Sequence, residues 1–234
     1  MIGVFGGTFD PIHYGHLRPA LDCMQSLGLT EVRLIPLKLA VHRAQPKAGA
    51  SQRLAMVEAA IAGELGLVAD GREVGRLGPS YSYDTLRSLR AELGHALPIC
   101  LLVGADAFNG FLTWHRPADI LALAHLVVMD RPGAPGPEDP LLLDLLAEHG
   151  SDAADDLHAT PGGRILRKRV TQLGISSSQI RALFAAGQSP RYLLPEPVLA
   201  ICERDGLYRG RTHDSAATTT AQPKTEELAC SLRL

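Results

Sequence analysis

The run Ile99–Val103, ICLLV, is apolar at every position. A strand with one wet face alternates apolar and polar side chains, so this run fits a strand covered on both faces. Leu126–Met129 has the same character, and Ile2–Phe5 and Val32–Ile35 read as two more short strands. Between them the spacing turns helical. Leu17, Ala20, Leu21, Met24 and Leu27 recur every three or four positions, and Gly28 follows as a stop. Ser51 is placed to cap a helix whose apolar face is Leu54, Val57 and Ile61. Tyr83–Leu93 carries Leu86, Leu89 and Leu93 on one side and ends at Gly94, and Val198–Asp205 reads as a last helix before Gly206. Strands and helices that alternate in this way predict an α/β chain. The expected architecture is a Rossmann-like, open, mostly parallel sheet with helices on both faces and a small C-terminal helical part. Ligands in such sheets bind beyond the carboxyl ends of the strands.

Nearly half of the 234 residues, 46%, are apolar, which is enough for a sizeable core. The organisation expected is one unit over residues 1–211. The small, polar stretch 212–234 reads as a tail that is disordered or weakly attached. Gly133–Pro140, GAPGPEDP, reads as a loop. A net charge of −2 argues against a general nucleic-acid binder. The one basic cluster, Arg164–Arg169, reads as a solvated strand or loop. Cys23, Cys100, Cys202 and Cys230 form no C-x-x-C pair, and the first three sit among apolar neighbours as buried thiols. That usage, with no signal peptide and no apolar membrane span, points to the cytoplasm and to no membrane partner.

Two segments carry chemistry. Ile2–Leu17 reads IGVFGGTFDPIHYGHL. It is neither a P-loop nor a G-x-G-x-x-G turn. Gly6 and Gly7 still allow a tight turn and a close backbone approach, and Pro11 stiffens the loop. If a helix starts between His13 and His16, both rings can face one anion at its N-terminus, helped by the dipole and free amides. The plainer alternative is a pair of surface histidines at a helix start. Zinc is a weaker reading, since no further ligands stand at suitable spacing. The second segment, Gly174–Arg181, reads GISSSQIR. Ser176 can cap a helix with Gln179 three residues on, Ser178 adds a hydroxyl, and Arg181 adds a cation that can fork onto phosphate. Alone this is an ordinary capped helix. With the first segment, two helix starts can converge on one polyphosphate.

GGTFDPIHYGH, with its His13-Tyr14-Gly15-His16 motif, resembles the phosphate-binding signature of H-x-G-H nucleotidylyltransferases. ISSSQIR resembles their second signature, with Ser178 where a threonine is usual. Within that group the chain is similar to bacterial nicotinate-nucleotide adenylyltransferases, from about residue 1 to residue 209. The likeness includes IPLKLAVHR, PSYSYDTL, LLVGADAF, TWHR, DRPG and LLPEPVLAICERDGLYR. It implies ATP and nicotinate mononucleotide as substrates, Mg2+ as cofactor carried mainly by the ATP phosphates with no protein metal site, and compatibility with a homo-oligomer. By motif, His13, His16 and Arg181 would do the catalytic work. Gly6, Gly7, Thr8, Phe9, Ser176 and Ser178 would join them in binding ATP. His42 and Arg43 would lie near the mononucleotide phosphate, Asp106 would meet its ribose, and Trp114 would stack on the pyridine ring. The backbones of Ser82 and His115 would receive the nicotinate carboxylate. The chain departs from the family at Ala40-Val41, where prolines often stand, and at His115, where another aromatic is common. Two plainer readings stay open at this point: Trp114 as core, and Asp106 as a helix cap.

The implied chemistry is direct. The mononucleotide phosphate attacks the α-phosphorus of ATP and pyrophosphate leaves. No protein nucleophile or general base is needed, so the histidines are expected to act as donors to phosphate. Rival readings are a sister transferase for another phosphorylated acceptor and a non-catalytic nucleotide sensor.

Overall fold

The computed structural model describes residues 1–39, 45–130 and 136–210. His42, Arg43, Cys230 and the 212–234 stretch lie outside them. The strands are β1 (Ile2–Gly7), β2 (Glu31–Pro36), β3 (Leu67–Ala69), β4 (Ile99–Gly104), β5 (His125–Asp130), β6 (Gly150–Ser151) and β7 (Ile165–Arg169). They form one sheet in the order β3-β2-β1-β4-β5-β7-β6, and the paired strands run parallel. The helices are α1 (Tyr14–Ser26), α2 (Ala50–Ile61), α3 (Ser82–Leu93), α4 (Ala105–Asn109), α5 (Pro117–Leu123), α6 (Pro140–His149), α7 (Asp156–Ala159), α8 (Ser177–Ala185) and α9 (Glu196–Arg204). A 3-10 turn spans Phe111–Thr113.

The uninterrupted run in β4 does what its composition demands. Cys100 and Leu102 enter one core with residues of α1, α2, α8 and α9. Ile99, Leu101 and Val103 enter the other with residues of α3, α4, α5 and α6. Period-two alternation therefore sends every other side chain to opposite faces, and both faces are dry. The C-terminal helices α8 and α9 belong to the first of these layers, through Ile180, Val198 and Leu199.

Several details differ from the sequence reading. Gly49, not Ser51, is the N-cap of α2; the Gln52 side chain accepts from the Gly49 amide, and Ser51 sits inside the first turn. The run ending at Pro140 is partly a helix start: Pro140 is the first residue of α6, and the Asp139 carboxylate accepts from the Leu141 amide. Proline is at home there because its missing N–H would have no helical partner. The basic cluster is β7, an inner strand whose Ile165 and Leu166 are buried while Arg167 pairs with Asp130 on β5. Cys23, Cys100 and Cys202 are buried free thiols, as expected. Buried Arg90 donates to the carbonyls of Gly94, Leu97, Leu123 and Pro161, which fastens α3 against the end of α5.

Candidate active site

The strand order reverses between β1 and β4, since β2 lies on one side of β1 and β4 on the other. Beyond the carboxyl ends of these two strands an open parallel sheet has its crevice. The residues there are Gly6 and Gly7 at the end of β1, Thr8 just after it, and Ala105 and Asp106 after β4. A side-chain carbon at Gly6 or at Gly104 would meet nothing within 4 Å, so both positions border open space. Gly7 is the reverse case: such a carbon would stand 2.7 Å from the Phe9 ring. Phe9 is buried with φ 48°, a left-handed backbone rare outside glycine, and its ring packs against Gly7.

His13 is the N-cap of α1 and His16 lies in its first turn. The two rings stack, with centroids 3.8 Å apart, and the His16 and Phe9 rings meet nearly perpendicular with centroids 5.1 Å apart. Burial holds His13 down to about 4, and burial plus the neighbouring His13 ring holds His16 well below the ordinary histidine value. Both imidazoles are therefore neutral at neutral pH. The Nδ1 atoms of both rings are buried and without a hydrogen-bond partner. A neutral imidazole carries one N–H and one lone pair, so each ring can donate one hydrogen bond. The site thus offers two uncharged donors rather than two cations. The first turn also offers fewer free amides than the sequence suggests. The Tyr14 N–H donates to the Leu193 carbonyl and the His16 N–H to that of His13.

The serine-rich turn comes to the same place. Ser176 caps α8, and its Oγ accepts from the Gln179 amide at 3.1 Å. Ser177 Oγ donates to the Pro11 carbonyl at 3.0 Å, and Arg181 donates to the Asp10 carbonyl at 2.7 Å. A side-chain carbon at Gly15 would stand 2.9 Å from both the His13 ring and the Ile175 carbonyl oxygen. Only glycine lets the α1 start, the stacked ring and the turn before α8 approach so closely. Ser178 is exposed and its Oγ accepts from Arg181 at 3.2 Å.

Three residues that the sequence reading did not single out hold this loop from behind. Asp10 is buried, and its carboxylate accepts from the amides of Lys47 and Ala48 and from the Tyr208 hydroxyl. Arg53, fully buried on α2, donates to the carbonyls of Thr8 and Ala48. A signal for Arg53 did exist: it shares the buried face of α2 with Met56 and Val57, three and four residues on.

The other flank is looser. Ser82 is the first residue of α3, with Tyr81 as its N-cap. His115 is exposed and stacks on Tyr81 at 4.4 Å. Arg116, with φ 59°, lays its guanidinium 4.1 Å from the Tyr83 ring centre. Trp114 is half-buried with its ring against Phe111 at 5.6 Å, so it is partly core and partly available. Asp106 is exposed in the first turn of α4.

The sequence profile of the cytidylyltransferase-like family matches residues 4–183. A protein of Aeromonas hydrophila named "Probable nicotinate-nucleotide adenylyltransferase" is 47% identical over 208 residues, which cover 89% of this chain and 97% of that protein. Proteins of the same name from Marinobacter nauticus and Pseudomonas aeruginosa PAO1 are 45% and 47% identical, each over 89% of this chain and at least 96% of their own length. Among solved structures, the nicotinic acid mononucleotide adenylyltransferase of Plasmodium falciparum in its NaAD complex superposes with a TM-score of 0.65 at 14% identity. It covers 88% of this chain and 96% of that one, which supports the fold. On near-full-length identity above 40% and a matching open parallel sheet, the chain belongs to the nicotinate-nucleotide adenylyltransferase family of cytidylyltransferase-like enzymes.

Proposed function

We propose that the chain transfers the adenylyl group of ATP to nicotinate mononucleotide, giving nicotinate adenine dinucleotide and pyrophosphate in NAD biosynthesis. The observation that carries this reading is the meeting of two sequence-distant donor sets at the end of β1. The stacked His13–His16 pair and the Ser176–Arg181 turn touch through Gly15, Pro11 and Asp10. The names carried by relatives that match nearly full length supply the acceptor.

In the proposed reaction an oxygen of the mononucleotide 5′-phosphate forms a bond to the α-phosphorus as the bond to the bridging α–β oxygen breaks. The electron pair leaves with pyrophosphate. The nucleophile is already anionic at neutral pH, so the protein's task is to align two repelling anions and to meet growing oxygen charge with fixed donors. His13 and His16 would each offer one ring N–H to the phosphates from a water-poor pocket, where a hydrogen bond to charge is strong. Ser178 and Arg181 would hold the outer phosphates. The backbone at Gly6–Thr8 would pass beneath the nucleotides, in the open space that Gly6 leaves. Trp114 would stack on the pyridine ring, the α3 start at Ser82 and the His115 backbone would receive the carboxylate, and Asp106 would meet the ribose.

Among the described residues no group of three or more His, Cys, Asp or Glu side chains could hold a metal ion. Both Asp10 oxygens are spent on amides and a hydroxyl. The Mg2+ implied by the resemblance would therefore ride on the triphosphate oxygens and water, where it offsets phosphate charge. None of the protein-side roles depends on a protein-held ion.

The deciding measurement is pyrophosphate release from ATP with nicotinate mononucleotide, nicotinamide mononucleotide and phosphopantetheine offered separately. The acid mononucleotide is expected to give the highest kcat/KM. Equal or faster release with either rival acceptor overturns the assignment.

A further inference from the structure

Arg181 does not stand alone at the site. Its guanidinium is braced on the Asp10 carbonyl at 2.7 Å, with the Asp10 carboxylate at 3.8 Å. Asp10 is itself held by contacts that come from outside the crevice. Lys47 and Ala48 amides donate to its two oxygens at 2.8 and 3.0 Å, and the Tyr208 hydroxyl donates to Oδ1 at 2.7 Å. Tyr208 lies 198 residues away in sequence, just past the last helix. Its backbone is in the left-handed region, φ 64°, a conformation that a bulky residue adopts only when its surroundings demand it. Two contacts supply that demand. The hydroxyl reaches Asp10, and the ring packs 5.8 Å from Phe184, one turn along α8 from Arg181. Burial and the adjacent carboxylate push the Tyr208 phenol up, so it remains a proton donor throughout the working range of pH.

We propose that Tyr208 is a positioning residue for the donor side. By donating to Asp10 and packing on α8, it sets the angle at which Arg181 meets a polyphosphate. The strained phenol, the buried carboxylate and the cation form one chain of contacts, so the C-terminal end of the described fold adjusts the affinity for ATP without touching it. This inference rests on the adenylyltransferase reading only in naming ATP as the polyanion.

The test is a double-mutant cycle in the full-length chain with Tyr208→Phe and Arg181→Lys. It reads the affinity for a non-hydrolysable ATP analogue, the KM for ATP, kcat and Tm. Tyr208→Phe keeps the ring and removes one hydrogen bond to a charged group. It is expected to weaken the analogue and raise the KM for ATP about tenfold, with kcat less affected. In the Arg181→Lys background the same change is expected to add little, because both act through Asp10. Two results overturn the proposal: unchanged analogue affinity in Tyr208→Phe, or losses that simply add. A fall in Tm with unchanged affinity reduces Tyr208 to a packing residue and also overturns it. Wild-type protein that binds no ATP analogue counts against the adenylyltransferase reading instead, so the two failures are distinguishable.

Discussion

On the donor flank His13 is 3% exposed, His16 is wedged against Phe9, and the loop between them and β1 is anchored at Thr8, Asp10 and Pro11. On the acceptor flank His115 is exposed, Trp114 is half-buried, and the aromatic rings of Tyr81, Tyr83 and His115 lean on one another, while the polar anchor lies behind them, where Thr85 of α3 donates to the buried Glu73 carboxylate. One flank is built before any ligand arrives; the other is a set of rings around a helix start. The difference fits the two jobs proposed for these residues. A flank that meets charge developing in the transition state gains most from fixed donors that need no rearrangement. A flank that selects a flat ring gains from aromatic surface, whose contribution is modest and local.

The contrast can be broken most sharply at His16. His16→Ala removes a prearranged donor and is expected to lower kcat about a hundred- to a thousandfold, with far-UV circular dichroism unchanged. Steady-state kinetics with both substrates saturating checks this, and near-normal turnover would refute the role. Trp114→Ala probes the other flank. Loss of one stacking contact is expected to raise the KM for the mononucleotide about tenfold and leave the KM for ATP in place. Should ATP respond instead, the ring does not face the acceptor.

The smallest effect is a pH dependence expected of the buried His13 ring. His13 is held down to about 4 in the folded chain from an ordinary 6.5, so the unfolded chain takes up its proton first as pH falls. Stability contributed at neutral pH is therefore lost from about pH 6.5 down toward pH 4, by roughly 3 kcal/mol if the depression is fully expressed. His13→Gln is expected to make that slope shallower in urea melts collected between pH 7 and pH 4, the remainder coming from His16 and His125, which burial also holds down. Equal slopes for wild type and His13→Gln would contradict the buried neutral ring.

The sheet was legible because ICLLV admits few environments and because helical spacing sits between the strands. Short elements were not. The five-residue helix after Gly104 and the two-residue strand at Gly150 hold too few positions for a period to show. The donor signatures were legible because each is contiguous and its glycines and histidines have a shared reason. The protonation of those histidines was not, since it follows from a ring stack and from burial that no spacing reveals. The Asp10–Tyr208 contact joins opposite ends of the chain, and local pattern carries no trace of it.

Gly6 has one further consequence. Its missing side chain borders empty crevice, not packed protein, so an added methyl would collide with nothing the chain itself owns. Gly6→Ala is thus expected to give a silent twin: a molecule that folds and melts as its parent does while its doorway is narrowed. In a cell such a twin would separate what the protein does by turning over nucleotides from anything it does simply by being present.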